Sequence, residues 1–253
     1  MDWREQNGVR WLEAELDGAR AAFTTRLGGV SDSPFDSLNL GVLTDDEAGH
    51  VHANRGRLAA ALGRDPEGVV FARQVHGAEL VAHDGAQRRG FVPDGGIDSR
   101  RDAGPPRADG HVVASPELTP LIFVADCLPV ALSGPGGVAL LHCGWRGLAA
   151  GIVARGAAAV GATDAAIGPG IGPCCYEVGS EVFAAFADLR DGIEGKGTLD
   201  LSEVARRRLR EAGVKRVASA ELCTSCNPEL FFSHRRDAGR TGRQAGLVWI
   251  EGA

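Results

Sequence analysis

The sequence predicts a mixed α/β fold, α+β-like in its layering of sheet and helix, and two observations support this prediction. Short apolar runs typical of strands outnumber amphipathic helical segments, and the two kinds are interspersed along the chain. The chain has 253 residues, of which 44% are hydrophobic, so it can bury a substantial core. We therefore expect a single domain spanning residues 1–253, without internal repeats.

The predicted strands are short apolar runs bounded by glycine, proline or polar turns. The first of them, RAAFTTRLGGV, enters a Gly-Gly turn, and a loop-like stretch rich in Ser, Asp and Pro follows it. In chain order, the pattern predicts strands at 20–30, 69–75, 79–82, 110–115, 119–125, 128–133, 137–142 and 164–168.

The predicted helices carry apolar residues at helical spacing. The first begins with an acidic pair and then places Val51 and Leu58 on one face. The last places Leu201, Val204 and Leu209 on one face and arginines on the opposite face. The predicted helices are 45–62, 147–161, 178–190 and 200–212.

Between the strands predicted at 79–82 and 110–115, the chain loses its apolar character. Residues 84–108 contain five Arg, five Gly and three Pro with few apolar side chains. Such a composition cannot anchor a segment in a core. The sequence therefore predicts a flexible surface loop at 84–107.

Charge and composition exclude several classes of protein. The formal net charge of −6 gives no general attraction to nucleic acid, so we expect no nucleic-acid partner. No run of 18 apolar residues is present, which predicts no membrane partner, and the first residues do not resemble a signal peptide. Six cysteines are too few for a disulfide scaffold. We therefore expect a cytoplasmic protein whose cysteines are thiols or metal ligands.

Reactive residue types concentrate at three positions, His76, Cys127 and His142. A Gly-rich hairpin at 133–137 would pair the strands on either side and bring Cys127 beside His142. A thiolate next to an imidazole is an activated nucleophile. A thiolate with two imidazoles is also a three-ligand zinc site that leaves one position open. Packing in the core is the third interpretation of these residues, and spacing alone leaves all three open.

Other cysteines and one aspartate carry weaker signals. Cys223 and Cys226 form a C-x-x-C, but we find no second ligand pair at zinc-ribbon spacing, so we expect them not to bind metal. For the neighbours Cys174 and Cys175, packing is the expected role. Asp126, an acidic residue inside an apolar run, is expected to orient an arginine or to hold loop backbone.

Arginines are the candidates for binding an anion through paired hydrogen bonds. Arg26 precedes a Gly-Gly turn, and Arg146 lies in a Gly-Trp-Arg-Gly turn four residues after His142. We predict that these two arginines bind substrate or phosphate.

Several motifs taken together resemble the YfiH family, also called laccase-domain proteins, "polyphenol oxidases" or peptidoglycan editing factors. The similarity runs from about residue 20 to the C-terminus. The motifs are TTRLGGVSDSPFDSLNLG, NR at 54–55, QVHG at 74–77, ADG at 108–110, ADCLPV at 125–130, HCGWRG at 142–147, IGPGIGPCCYEVG at 167–179 and FFSHRRDAGRTGR at 231–243.

The resemblance implies a single α/β domain with a metal site at His76, Cys127 and His142. It also implies that Arg55, Cys127 and His142 are catalytic. The implied activities are zinc-dependent phosphorolysis of the purine nucleosides adenosine, inosine and methylthioadenosine, with purine nucleoside and phosphate as partners, and deamination of adenosine. The chain departs from the pattern in its long connection at 84–107 and in Cys143, which follows the histidine where Ala is usual.

Zinc is the expected cofactor, and copper is the less favoured alternative. The whole chain has seven histidines, too few for the histidine-rich ligand sets of a four-copper oxidase. One Cys and two His suit zinc. A copper-dependent polyphenol oxidase is therefore disfavoured. The remaining alternatives are a metal-free Cys–His amide hydrolase that edits peptidoglycan precursors and a non-catalytic metal-binding protein.

Overall fold

The computed structural model describes residues 1–83, 105–189, 192–193 and 197–252. Within them, twelve strands form two six-stranded sheets. The first sheet has the order β1-β2-β3-β12-β7-β4, with β1 Asp2–Gln6, β2 Val9–Leu16, β3 Ala19–Thr24, β12 Gln244–Ile250, β7 Thr119–Val124 and β4 Val69–Val70. The second has the order β11-β10-β8-β9-β6-β5, with β11 Arg216–Ser219, β10 Asp164–Ile167, β8 Leu128–Gly134, β9 Gly137–Cys143, β6 Gly110–Val113 and β5 Leu80–His83.

The described helices cover the outer faces of the two sheets. The structure has α1 at Ala48–Leu62, α2 at Trp145–Ala149, α3 at Ile152–Val160, α4 at Ser180–Ala184 and α5 at Leu201–Glu211. A short 3-10 helix, Pro66–Gly68, precedes β4. No helix in these parts of the chain combines the length and the apolar content that crossing a bilayer requires.

Alternation of side chains along the strands builds three separate cores. Leu140 of β9 and Ile122 of β7 face each other between the two sheets. Leu141, one residue further along β9, lies in the core beneath α3 and α5. Leu121, one residue before Ile122, lies in the core beneath α1. The architecture is therefore four layers in the order helix, sheet, sheet, helix, and the predicted mixed α/β class is confirmed.

Most predicted elements are present, with shifted ends. Gly151, at φ 82°, divides the helix predicted at 147–161 into α2 and α3. The helix predicted at 178–190 is α-helical only over Ser180–Ala184, and the strand predicted at 69–75 only over Val69–Val70. Four strands were not predicted, namely β1, β2, β11 and β12. The loop predicted at 84–107 lies outside the described residues up to residue 104.

Two connections cross from the first sheet to the second at one edge. The chain passes from β4 to β5 through residues 71–79, and from β7 to β8 through residues 125–127. Because β4 and β7 are parallel neighbours, both crossings leave the same end of the first sheet. In the second sheet, Cys143 at the end of β9 pairs with Leu128 at the start of β8. The topology therefore gathers three segments at one place, which we call the crossover edge.

Candidate functional site

Three side chains from separate segments meet at the crossover edge. His76 comes from the first crossing, Cys127 from the second and His142 from the end of β9. One ligand atom of each lies within 4.8 Å of the others. The two imidazole rings lie 4.8 Å apart between centroids at an interplanar angle of 71°. The predicted convergence of these three residues is confirmed, and their roles stay predictions.

Asp109, which directly precedes β6, holds this group together. Its carboxylate accepts hydrogen bonds from the backbone N–H groups of Val75, His76 and Gly77, at 2.7–3.1 Å. These bonds support His76 in a left-handed conformation, at φ 60°, which is unfavourable for a residue with a side chain. The same carboxylate lies 2.8 Å from Nδ1 of His142. Because an ionised carboxylate can only accept, Nδ1 carries the proton, and Nε2 is left to interact with Cys127 or with a ligand.

The site favours charge separation between its members. Burial raises the pKa of the Cys127 thiol, but the facing His142 and His76 rings outweigh this effect and lower that pKa below its usual value. Burial lowers the pKa of His142, and the Cys127 thiolate and Asp109 outweigh it and raise that pKa. Without a metal, the pair is therefore a thiolate facing an imidazolium. The charged pair suits nucleophilic attack, and the thiolate also suits metal coordination once the imidazolium gives up its Nε2 proton.

Gly144 forms a wall of the site. A Cβ added at this position would lie 3.0 Å from Sγ of Cys127 and 3.5 Å from Cδ2 of His76. Its backbone, at φ −78°, is ordinary, so glycine is required here for space. His76 is exposed, Cys127 half-buried and His142 buried, so that the group is open to solvent on the His76 side.

Tyr176 interacts with Cys127, Arg235 and Arg146, and we call Tyr176 and these two arginines the rim. The guanidinium of Arg235 lies 5.2 Å from the centroid of the Tyr176 ring and donates to the carbonyl of Glu177. Burial and the charge of Cys127 raise the pKa of Tyr176 to about 12, so its hydroxyl stays protonated, while Arg235 and Arg146 act in the opposite direction. Tyr176 therefore interacts electrostatically with Cys127 and with both arginines, and it offers a protonated hydroxyl as a donor. Of Tyr176, Arg235 and Arg146, the sequence predicts only Arg146 as a site residue.

The other predicted arginines are held by the protein itself. Arg55 lies in α1, buried, with its guanidinium against the rings of Phe71 and Phe123 and its Nε donating to the carbonyl of Leu40. Burial lowers its pKa to about 10, which leaves it charged at neutral pH. Phe123 belongs to β7, the strand that leads into Cys127. The contact of Arg55 with Phe123 therefore supports the segment that carries Cys127.

Arg26 makes a structural set of contacts. It forms an ion pair with Asp36, donates to the carbonyl of Pro228 and lies 4.6 Å from the centroid of the Phe232 ring. Arg146, by contrast, is exposed, and its guanidinium lies over the ring of Trp145. Of the two predicted anion-binding residues, Arg146 is therefore the one that remains available to a substrate.

Asp126 has the structural role expected of it. Its carboxylate accepts from the backbone N–H of Arg235 at 2.7 Å and from the hydroxyl of Thr224 at 2.6 Å. Asp126 therefore connects the turn that carries Cys127 to two later segments of the chain, one with Thr224 and one with Arg235.

Cys223 and Cys226 have a second cysteine pair close to them in space, although none stands at zinc-ribbon spacing in the sequence, and the expectation that they do not bind metal stays a prediction. Cys174 and Cys175 bring their sulfur atoms within 4.8 Å of those of Cys223 and Cys226. Packing is therefore not the main feature of the Cys174–Cys175 pair, which is exposed to half-buried. The sequence separates the two pairs by 48 residues, so spacing alone could not show that they meet.

Two residues of the site were missed as functional candidates, Asp109 and Tyr176. Asp109 stands in the ADG motif directly before a predicted strand, and Tyr176 follows the cysteine pair in a Gly-Pro loop. A carboxylate at the start of a strand, next to a buried histidine on the neighbouring strand, is the signal that identifies a positioning residue.

The chain is similar to known proteins over most of its length. Residues 20–251 match the family model described as "Multi-copper polyphenol oxidoreductase laccase". The chain is 37% identical over 248 residues to "Purine nucleoside phosphorylase YfiH" of Escherichia coli, covering 92% of this chain and 94% of that protein. It is 39% identical over 250 residues to "Purine nucleoside phosphorylase SCO2081" of Streptomyces coelicolor, covering 93% of this chain and 97% of that protein.

Solved structures agree with the fold. The crystal structure of a Bacillus licheniformis hypothetical protein YfiH superposes with a TM-score of 0.85 at 33% identity, covering 98% of this chain and 99% of that one. YlmD from Geobacillus stearothermophilus superposes with a TM-score of 0.85 at 33% identity, covering 98% of both chains.

Proposed function

This chain belongs to the YfiH family, whose model is described as multi-copper polyphenol oxidoreductase laccase, and from that membership we propose that it is a zinc-dependent purine nucleoside phosphorylase. The names of the curated relatives support the reaction. The convergence of His76, Cys127 and His142 beside an arginine-bearing rim is the observation that carries the proposal in this chain. The proposed substrates are adenosine, inosine and methylthioadenosine, and deamination of adenosine is proposed as a second activity.

The ligand group fits zinc. One thiolate and two imidazoles are a three-ligand set that leaves one tetrahedral position for substrate. Asp109 orients Nε2 of His142 toward the group, as carboxylates do behind zinc-bound histidines. When bound, zinc supplies Lewis-acid chemistry. A His₂Cys set also occurs in blue-copper sites, whose weak axial ligand is a methionine, a glutamine or a backbone oxygen; the one methionine of this chain is the exposed Met1.

The rim supplies the groups that phosphorolysis needs. A phosphate oxygen forms a bond to C1′ of the ribose while the C1′–N9 bond breaks, and its electron pair leaves with the purine, which takes up a proton. We propose that Arg146 binds the phosphate with Arg235 beside it, since both act on Tyr176 next to the ligand group. Protonated Tyr176 donates a hydrogen bond to substrate. We also propose that the buried positive charge of Arg55, which lies against Phe123 in the strand that leads to Cys127, contributes to the electrostatics of the site.

The test is release of purine base and ribose 1-phosphate from inosine in the presence of phosphate. We expect Cys127→Ala to lose about one equivalent of zinc and to lower turnover by about 100-fold or more, because two neutral imidazoles hold the ion poorly. Arg55→Ala and Arg146→Ala keep the zinc and weaken handling of phosphate or substrate. Arg210→Ala, an exposed arginine of α5, is the matched control and leaves both unchanged.

Unchanged turnover in a Cys127→Ala variant that has lost its zinc would contradict the proposal. Release of inosine from adenosine, measured on the same variants without phosphate, tests the proposed deamination separately.

A metal-free Cys–His amide hydrolase is the second candidate, and the thiolate–imidazolium character of Cys127 and His142 favours it. In that case Cys127→Ala has the same zinc content as wild type and loses the amide hydrolase activity. Full activity of wild-type protein after removal of zinc by a chelator would also favour the hydrolase.

A further inference from the structure

Two loops bring four cysteines together beside the crossover edge. β10 and β11 are parallel neighbours, so the segments that follow them leave the second sheet at the same end. The first segment carries Cys174 and Cys175, and the second carries Cys223 and Cys226. A bridge between Gly170 and Cys223 continues the pairing of the two segments past the strands. We call these residues the four-cysteine cluster.

The spacing of the sulfur atoms matches a tetrahedral thiolate site. All four lie within 4.8 Å of one another, and Sγ of Cys226 lies 3.3 Å from that of Cys174 and 3.4 Å from that of Cys175. A disulfide needs about 2.05 Å between its sulfurs, so these thiols are unbonded. Four sulfurs around zinc, at bond lengths near 2.3 Å, lie about 3.8 Å apart.

The backbone around Cys223 is arranged to stabilise a thiolate. The N–H of Gly172 donates to Sγ of Cys223 at 3.2 Å. Donation of N–H groups to sulfur is the support that metal-bound thiolates receive from the surrounding chain.

We propose that Cys174, Cys175, Cys223 and Cys226 bind a second zinc ion in a closed, structural site. Four thiolates occupy every tetrahedral position, which leaves none for substrate. This site is separate from the group formed by His76, Cys127 and His142 and does not depend on the activity proposed above.

The bound ion fixes segments that reach the first site. Thr224, inside the C-x-x-C turn, donates to the carboxylate of Asp126, the neighbour of Cys127. The guanidinium of Arg236 donates to the carbonyl of Thr224 at 3.0 Å. Tyr176, at the rim, directly follows Cys175 in the chain. The four-cysteine cluster therefore holds two loops together. One loop contacts Asp126 through Thr224, and the other carries Tyr176.

Zinc content of purified protein tests the proposal. We expect about two equivalents in wild type and a loss of one in the double variant Cys223→Ser/Cys226→Ser and in Cys174→Ser/Cys175→Ser. The variant Ser225→Ala alters the same turn but keeps all four thiols, and it keeps both equivalents. If the first site holds no zinc, wild type contains one equivalent, Cys127→Ala leaves it unchanged, and the double variants contain none.

The variant Cys127→Ala keeps the four-cysteine cluster intact and makes the test independent of how the double variants fold. Reconstituted with Co²⁺, it is expected to show the intense charge-transfer absorption of a tetrathiolate site. Absence of zinc and of this absorption in Cys127→Ala overturns the proposal. Two fewer titratable thiols in native protein purified without reductant, with no metal at the cluster, would assign a disulfide there instead.

Discussion

At the scale of single residues, the candidate site depends on a carboxylate that is not one of its ligands. Asp109 accepts three backbone N–H groups from the segment that carries His76 and also the Nδ1 proton of His142. Burial raises the pKa of Asp109, but the bonds from His142 and Gly77 outweigh it and keep that pKa below its usual range. Asp109 therefore remains ionised and holds the His76 segment and the His142 ring at once.

The substitution Asp109→Asn tests this positioning role. An amide has one acceptor oxygen in place of two and can no longer attract the His142 proton as an anion. We expect zinc affinity of the first site to fall by about 10- to 100-fold while the fold is retained. The measurement is competition with a zinc chelator, and the matched control is Asp164→Asn, a buried carboxylate of β10 that pairs with Arg216. Equal affinity in wild type and Asp109→Asn would contradict the role.

Residue types predicted which three side chains meet, but not what supports them. His76, Cys127 and His142 could be selected because each stands beside an apolar run or turn with a chemically useful side chain. Asp109 and the partner pair of Cys223 could not, because their importance comes from neighbours that are brought close only by sheet pairing. Long-range pairing is not encoded in local spacing.

At the scale of elements, helix α1 shows how glycine can have opposite effects within one segment. Gly56 lies exposed in the helix interior, and a Cβ added there would meet no atom within 4 Å. Gly63 ends the helix at φ 61° and donates its N–H to the last turn, again with open space around it. The two positions differ in backbone conformation and not in packing.

We expect Gly56→Ala to stabilise the protein by about 0.5–1 kcal/mol, because alanine loses less backbone entropy than glycine in a helix. Gly63→Ala is expected to destabilise it by about 1–2 kcal/mol, because a Cβ is unfavourable at positive φ. Urea unfolding of both variants beside wild type measures these changes. Shifts of the same sign in the two variants would refute the conformational explanation.

The same scale shows why some elements escaped prediction. β1 is exposed along its whole length, so it carries no apolar alternation that could reveal a strand. β12 is apolar like the strands that the pattern predicts, but its pairing with β3 and β7, more than a hundred residues earlier in the chain, cannot be inferred from spacing. β9 was predictable because β8 pairs with it through a short glycine-rich hairpin.

At the scale of the whole molecule, the site exists because the chain changes sheet twice at one edge. The mixed α/β class follows from the alternation of short strands and helices, but the division of the strands into two sheets does not. Strands that follow each other in sequence, such as β7 and β8, lie in different sheets, and the residues between them become the site. The topology therefore sets the position of the candidate site, and the sequence pattern alone does not determine that topology.

The interior also carries a buried histidine pair that links global stability to pH. His111 of β6 is fully buried, and its Nδ1 lies 2.8 Å from Nε2 of His83. Burial, and next the proximity of His83, lower the pKa of His111 to about 3, against 6.5 for the free side chain. The folded protein therefore keeps His111 neutral at a pH where the unfolded chain takes up a proton.

The stability that depends on neutral His111 is lost as the pH falls. Above about pH 6.5 neither state binds a proton at His111, and the stability is fully present. Below that pH the unfolded chain binds one proton more, so the free energy of unfolding falls by up to about 1.4 kcal/mol for each pH unit until the folded-state pKa is reached. We expect His111→Gln, which keeps a hydrogen-bonding side chain, to lose this part of the slope between pH 6.5 and 5. Urea unfolding of wild type and variant across this range, both with excess chelator, isolates the difference because acid-induced loss of metal then affects neither protein. Parallel stability curves for the two proteins would show that His111 is not the group that couples folding to pH.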